Sequence, residues 1–258
     1  FFDTMRMRVI VWICLLGIVS ACGCYKKRIM DWSDYDVGKV EFRNLSPDTQ
    51  GAELYARIVP YPELFIQECA RQVLNTLYFS PLDSIPKVEV ITYELKSYDG
   101  ISAKSGNPPA VMITYSTDWI EKSYKGDVEL LVRENKGVLW HELTHAYQLE
   151  PQGIGTYGTN KTFWVFIEGM ADAVRCVNGG FTRDDRPKGG NYMDGYRTTG
   201  FFLVWLMETK DSNFLRNFNR STLHVKPWSF QGAIRYCLGE EYDIDRLWEE
   251  YMIAMGDR

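Results

Sequence analysis

The chain has 258 residues, of which 45% are hydrophobic and 24% are charged, and its formal net charge is −5. This composition excludes a disordered tail, a collagen-like repeat and a coiled coil. The negative charge, with no basic run after the N-terminus, argues against nucleic acid as a partner. The length is that of one domain with a sizeable hydrophobic core, preceded by a short N-terminal segment.

The N-terminal segment has the pattern of a secretory signal peptide. Two arginines precede the apolar run 9–19, and small residues follow that run. The run is shorter than the about 20 residues that cross a bilayer as a helix. The stretch Val19–Cys22 resembles a bacterial lipobox, so we expect Cys22 to become the lipid-modified first residue of the mature protein. Cleavage without lipid attachment and a short buried helix are the alternatives.

The predicted organisation is a signal peptide at 1–21, a polar tether at 22–38 and a single domain at 39–258. Because Gly23 follows Cys22, the acidic signal for retention in the inner membrane is absent. We therefore expect an exported protein, anchored by its lipid to the bacterial outer membrane and facing the periplasm or the cell surface. We further expect a monomer that contacts the membrane only through the lipid.

Strand patterns come first along the domain, and helical patterns follow. Val40–Arg43 predicts a short strand, and Tyr61–Tyr78 has apolar residues at helical spacing. Lys87–Leu95 and Ala110–Trp119 are rich in β-branched and aromatic residues and predict two strands, the first of them interior. Beyond residue 127 we expect helices near 128–149, 162–177, 195–209, 211–219, 228–238 and 243–255. This order predicts an α+β fold.

The cysteines show neither metal-binding nor redox spacing. Cys14 would leave with the signal peptide and Cys22 would carry the lipid, while the remaining four contain no CxxC pair. Those four are at positions 24, 69, 176 and 237. An exported protein can form a disulfide, but the spacing does not determine which pair would do so. We expect the last three to behave mainly as small buried hydrophobic residues.

The sequence His141-Glu142-Leu143-Thr144-His145 is an HExxH motif within a predicted helix. Two histidines four residues apart lie on one helical face, so both imidazoles can reach a single metal ion. Glu142 lies about 100° further round the helix, where it can contact a water molecule beside the metal rather than bind the metal itself. The chain contains three histidines in all, so this spacing is not expected by chance.

A catalytic zinc site has three protein ligands, and the next predicted helix can supply the third. Glu168 lies in an otherwise apolar run of that helix, where an unpaired carboxylate would be costly and a metal would remove the cost. Asp172, one turn further on, can accept a hydrogen bond from the far nitrogen of a ligand imidazole. An ordinary salt bridge, for example with Arg175, is the alternative for Asp172. The glycine-containing loop at 150–161 can bring the two helices together.

The segments HELTHAYQ, FIEGMADAVR and GYRTTGFFLVWL resemble the basic secretory protein family of plant and bacterial zinc peptidases. The first two also fit the gluzincin pattern HExxH…ExxxD, and the likeness covers about residues 40–255. The resemblance implies a zincin-like fold, with a small twisted N-terminal sheet packed on the active-site helix and a mostly helical C-terminal part. It implies Zn²⁺ held by His141, His145 and Glu168, with Glu142 as the general base. This chain departs from the plant members in being acidic, which puts a shared substrate in doubt.

The same resemblance makes Tyr196 a candidate to stabilise the oxyanion that forms on a scissile carbonyl. The alternative is an ordinary packing or surface role, because the chain has 16 tyrosines. Two other features are set aside. Gly153–Gly158 matches the GxGxxG fingerprint of dinucleotide-binding proteins, but it follows a predicted helix rather than a strand. His224 has no histidine nearby in the sequence, and we expect it to have a surface or packing role.

These residues predict a zinc peptidase in which Glu142 takes a proton from water and returns it to the leaving amine. The expected substrate is a peptide or protein, whose extended backbone could pair with an edge strand near Val111–Thr117. One alternative is a zinc-containing but non-catalytic binding lipoprotein that recognises glycans or glycoproteins. Another is a hydrolase of a non-peptide amide or ester. The intact Glu142 argues against the first, because a binding protein needs no base at that position.

Overall fold

A computed structural model describes residues 31–258 of the chain. The predicted signal peptide, Cys22 and Cys24 lie outside the described residues, as does the first part of the tether. The described part of the tether contains one short 3-10 turn at Trp32–Asp34. Among the described residues, none of the helices combines the length and the apolar composition needed to span a membrane.

Four strands form one small mixed sheet. They are β1 (Lys39–Asn44), β2 (Val90–Lys96), β3 (Ser102–Asn107) and β4 (Ala110–Ser116). Their spatial order is β1-β2-β4-β3, in which β1, β2 and β4 are parallel and β3 runs antiparallel to β4. The predictions of β1, β2 and β4 are confirmed. The β4 strand ends before Trp119 because the Ser116 hydroxyl accepts a hydrogen bond from the Trp119 amide and caps the helix that follows.

The expectation that an edge strand lies near Val111–Thr117 is wrong. This segment is β4, an interior strand between β2 and β3. Its buried residues at 111, 113 and 115 alternate with more exposed ones. The edge strands are β1 and β3, and the β3 sequence Ser-Ala-Lys-Ser-Gly-Asn carries no apolar pattern from which a strand could be predicted. Edge strands tolerate such polar sequences because one side of their backbone faces solvent.

Nine α-helices account for most of the rest of the described chain. They are α1 (Gln50–Ile58), α2 (Pro62–Leu77), α3 (Thr117–Ser123), α4 (Val128–Tyr147), α5 (Lys161–Val177), α6 (Tyr196–Thr209), α7 (Phe214–His224), α8 (Phe230–Leu238) and α9 (Ile244–Ala254). The short helices α1 and α3 were not predicted from the sequence. Helix α7 was expected at 211–219 but starts three residues later, because the Asp211 carboxylate accepts a hydrogen bond from the Asn213 amide in a turn before it. The observed arrangement is an α+β fold.

A single hydrophobic core joins the sheet to the helices that follow it. Helix α4 packs against β3 on one side and against α5 on the other, and α5 packs closely on α6. Two glycines allow α5 and α6 to approach each other this closely. A Cβ at Gly169 would lie 2.4 Å from the Thr199 side chain, and a Cβ at Gly200 would lie 2.9 Å from the Ala173 amide nitrogen. The close packing holds α4, α5 and the start of α6 around one cleft.

The three cysteines of the described chain are free thiols. Cys69 is fully buried, as expected for a small hydrophobic residue. Cys176 and Cys237 are partly buried and pack against the same hydrophobic core.

Candidate metal centre

Three ligand-type atoms from α4 and α5 converge on one point. The Nε2 atoms of His141 and His145 are 3.1 Å apart, as their positions one turn apart on α4 require. Oε2 of Glu168, on α5, lies 3.3 Å from Nε2 of His141 and 3.7 Å from Nε2 of His145. These side chains are the group of histidine and carboxylate residues, within the described part of the chain, whose geometry could hold a metal ion.

The local sequence explains how the two helices present these residues. Asp127 caps the N-terminus of α4, and Asn160 caps α5 with its side-chain oxygen. The loop between the helices reverses the chain through Gly153 and Gly155, whose φ values of +78° and +93° favour glycine. This loop contains the GxGxxG match, and it follows a helix as expected.

His141 and Glu168 are each oriented by a hydrogen bond to a residue outside the group. Asp172 lies 2.7 Å from Nδ1 of His141, as the sequence predicted. The Tyr157 hydroxyl donates to Oε1 of Glu168 over 2.6 Å, which leaves Oε2 directed at the histidines. The alternative salt bridge between Asp172 and Arg175 does not form, because Arg175 pairs with Glu134 instead. Such outer partners orient metal ligands and fix the imidazole tautomer.

Gln148 provides a test of whether the site suits a metal. Its amide nitrogen lies 2.9 Å from Nδ1 of His145, and its buried amide oxygen has no hydrogen-bond partner within the described chain. A 180° rotation of the amide would place that oxygen on Nδ1, so that Nδ1 of His145 carries the proton and Nε2 keeps its lone pair. This is the tautomer that a metal ligand needs, and the unpartnered oxygen therefore fits a metal on the other ring nitrogen.

The electrostatics of the site favour a positive charge where the three ligand atoms meet. Burial acts to lower the pKa of His141, but hydrogen bonds to Asp172 and Glu168 outweigh it and raise that pKa to about 10. Burial and the neighbouring His141 charge lower the pKa of His145 to about 3. Although burial opposes the shift, bonds from His141 and Tyr157 lower the pKa of Glu168. One cation is therefore stabilised among two imidazoles and a carboxylate, and the site fits a divalent metal.

Glu142 lies beside this group without belonging to it. Its side chain is buried, and its Oε1 accepts a hydrogen bond of 2.5 Å from the Ser102 hydroxyl on β3. Burial raises the pKa of Glu142, while the charge of His141 and the bond from Ser102 oppose that shift. A buried carboxylate with a raised pKa accepts a proton more readily than an exposed one, which suits a general base.

Tyr196 borders the same cleft from the start of α6. Its ring stacks on His141 at 6.1 Å between centroids and meets Trp164 edge-on at 5.4 Å. Its φ of +43° makes it the one non-glycine residue of the described chain with a positive φ. Such strain in a bulky residue persists only where packing enforces it, and it is concentrated at functional sites.

Three residues that contact the predicted group were not singled out from the sequence. Gln148 is the C-cap residue of α4, and its sequence spacing places it on the same side as both histidines, but that spacing alone gave it no role. Tyr157 lies in a loop and Ser102 in a strand without an apolar pattern, and neither has a sequence signal that points to the site. Only the packing of α4 against β3 and α5 places them there. His224 lies at the end of α7, stacked on Tyr236, and does not line the cleft.

We expect Asp172→Asn to weaken metal binding by about 10- to 100-fold, the usual cost of losing an outer partner of a ligand histidine. An asparagine can still accept from Nδ1 of His141, but it lacks the charge that holds the imidazole in its metal-binding orientation. Competition against a chromophoric chelator measures the dissociation constant. Asp48→Asn, in an exposed turn, is the matched control. Unchanged affinity in Asp172→Asn would show that Asp172 has a purely structural role.

The cleft extends on both sides of the group and encloses about 900 Å³. A protein-family model described as BSP, peptidase of plants and bacteria, matches residues 37–251. The search of curated proteins found no match.

Proposed function

The chain belongs to the BSP family of peptidases of plants and bacteria, and from this premise we propose that it is a zinc-dependent peptidase. The observation that carries the proposal is the convergence of two imidazole nitrogens and one carboxylate oxygen beside a buried Glu142. Two histidines and a glutamate are a donor set that catalytic zinc sites use. We further propose that the α+β fold is zincin-like, with α4 as its active-site helix.

Zinc would be held by His141, His145 and Glu168. When bound, it would supply a Lewis acid that makes water nucleophilic at neutral pH, since it lowers the pKa of such a water to about 7. Asp172, Gln148 and Tyr157 would keep the three ligands in their orientations.

Glu142 would act as the general base. It takes a proton from the attacking water at its carboxylate and later returns that proton to the leaving amine. The hydrogen bond from Ser102 to Oε1 fixes the carboxylate while leaving Oε2 to handle the proton. Ser102 belongs to the edge strand β3, so the same hydrogen bond also fixes the distance between Glu142 and that strand.

Tyr196 would donate its hydroxyl to the oxyanion that develops on the scissile carbonyl. Support comes from its ring, which stacks on His141, and from its strained backbone at the border of the cleft. Burial and the nearby Glu168 raise the pKa of Tyr196, so the hydroxyl keeps its proton for donation.

A peptide substrate would lie in the cleft in an extended conformation. The edge strand β3 borders the cleft through residues 102–104 and 107, and the sheet continues away from the cleft on its other side. An extended backbone could add to β3 as a further strand. This replaces the pairing with Val111–Thr117 expected from the sequence. We also propose that the mature protein is a monomer, exported and anchored to the outer membrane through a lipid on Cys22.

The test is cleavage of a varied panel of proteins and peptides by the mature protein. We expect cleavage with one zinc ion per chain, loss of cleavage after treatment with a chelator, and recovery when one equivalent of zinc is added. Amide and ester substrates without a peptide bond, included in the same panel, measure whether the hydrolysis is specific to peptides. A protein that carries stoichiometric zinc and cleaves no member of the panel would contradict the proposal and favour the binding lipoprotein.

A further inference from the structure

The cleft continues from the metal centre toward the N-terminal half of α4. Glu134 and Val138 precede His141 by seven and three residues on the same helical face, and all three line the cleft. On α5, Arg175 follows Glu168 by seven residues and lines the same end. At 1.5 Å per residue, this end lies about 10 Å from the ligand atoms. A side chain of a substrate bound at the metal could therefore reach it.

Two charges at this end neutralise each other. The Arg175 guanidinium donates to Oε2 of Glu134 over 2.7 Å, and the Trp119 indole donates to Oε1 over 3.0 Å. Both oxygens of the carboxylate are thus engaged, and both side chains are largely buried, with exposed fractions of 12% for Arg175 and 24% for Glu134. Neither oxygen of the Glu134 carboxylate is left for a positively charged substrate side chain.

The guanidinium of Arg175 is held in place from both faces. The Phe181 ring lies 4.1 Å from its central carbon. On the α4 side, a Cβ at Gly137 would lie 2.7 Å from Nε of Arg175, and a Cβ at Gly180 would lie 2.6 Å from its Cγ. Two glycines therefore make room for this side chain. The Arg175–Glu134 ion pair therefore forms a rigid floor of the cleft, and neither side chain is free to move toward a ligand.

The walls around this floor are mainly apolar, although Arg197 also lines the cleft, with its guanidinium 6.0 Å from the Phe181 ring. The Trp119 indole, the Phe181 ring and Val138 line this end. Aromatic faces stabilise another ring by stacked or edge-on contact, whereas burying a charge without a partner is costly. We propose that this end of the cleft is a specificity subsite for an aromatic side chain of the substrate. The proposal rests on the proposed peptidase function and adds a substrate class to it.

The first test uses internally quenched peptides that are blocked at both termini and differ by one residue on either side of the cleaved bond. The residue is phenylalanine, alanine, lysine or glutamate. We expect the zinc-loaded wild type to prefer phenylalanine over alanine by about 10- to 100-fold in kcat/KM at one of the two positions. Lysine at that position should give no advantage over alanine, and glutamate should be cleaved less well than phenylalanine.

Phe181→Ala removes one wall of the subsite. The preference for phenylalanine over alanine should fall to a few-fold, while the zinc content stays near one ion per chain and shows that the metal centre is intact. Phe79→Ala is the matched control, because Phe79 is an exposed aromatic residue that lies over an arginine, Arg216, outside the cleft. It should leave the preference unchanged.

Glu134→Gln tests, by a gain of function, whether the Arg175–Glu134 ion pair neutralises this end of the cleft. Glutamine keeps an acceptor for Trp119 but leaves the Arg175 charge unpaired. The variant should therefore cleave the glutamate peptide at least 10-fold better, relative to the alanine peptide, than the wild type does. The subsite alone would be overturned if the wild type cleaved the phenylalanine and alanine peptides equally well, whichever side of the cleaved bond carries the residue. It would also be overturned if Phe181→Ala and Phe79→Ala had equal effects. Cleavage of no peptide by the zinc-loaded wild type would instead overturn the proposed function.

Discussion

Glu142→Gln should reduce kcat by about 10²- to 10⁴-fold, the usual contribution of a general base, with zinc content near one ion per chain. Glutamine matches glutamate in size and can still accept the Ser102 hydrogen bond, so the buried position is preserved. It cannot take a proton from water. The combination of retained metal and lost turnover distinguishes a base from a ligand. Steady-state kinetics on a blocked fluorogenic peptide, with metal analysis of the same sample, measures both quantities.

The matched control for this change is Glu249→Gln on α9. Glu249 is 60% exposed and faces Arg258, far along the chain from the cleft-lining residues. Its substitution should leave both kcat and zinc content unchanged. If Glu142→Gln lost zinc together with activity, Glu142 would have to be reassigned as a ligand. If it kept full activity, the general-base mechanism would be wrong.

His141→Ala and His145→Ala should each empty the metal site. Each removes one of three converging ligand atoms, and the loss in zinc affinity should exceed the about 10- to 100-fold cost of losing an outer partner. Glu168→Gln should also weaken binding strongly, because it removes the one negatively charged ligand. Equilibrium competition with a chelator, followed by metal analysis after dialysis, gives the affinity and the residual occupancy.

The third histidine of the chain supplies the control for these variants. His224 stacks on Tyr236 at 5.2 Å between centroids and does not line the cleft. His224→Ala should therefore leave zinc content and kcat/KM unchanged. An empty site in His224→Ala, together with a filled site in Glu168→Gln, would show that the third ligand has been assigned to the wrong residue.

Much of the candidate site follows from local sequence. The spacing of His141 and His145 determines that both imidazoles lie on one face as soon as α4 forms, since that geometry depends only on the helical repeat. The next helix was identified by its apolar run, and Glu168 within that run was unusual enough to suggest a ligand. Long helices have strong periodic patterns, which explains why α2, α4, α5 and α6 lie within a residue or two of their predicted bounds.

Short helices and polar strands could not be predicted from periodic patterns in the same way. Helices α1 and α3 have only nine and seven residues, too few for a periodic pattern to be distinctive. Strand β3 has no apolar alternation, and its place in the sheet depends on pairing with β4. Missing β3 is also why the interior strand β4 was mistaken for an edge. A strand's position in a sheet is a property of its neighbours rather than of its own residues.

The sequence by itself predicted the long helices and the two histidines on one face, because helix geometry relates residues that are close along the chain. It also made Glu168 and Asp172 candidates, Glu168 because a lone carboxylate in an apolar run is costly. Only the tertiary structure decided that Tyr157 bonds Glu168, that Ser102 bonds Glu142 and that Arg175 pairs with Glu134 rather than with Asp172. The Ser102 and Arg175 contacts join residues 40 and 41 positions apart, and the Tyr157 contact joins a loop to a helix. Such contacts form only when separate elements pack together, and no local pattern records which faces will meet.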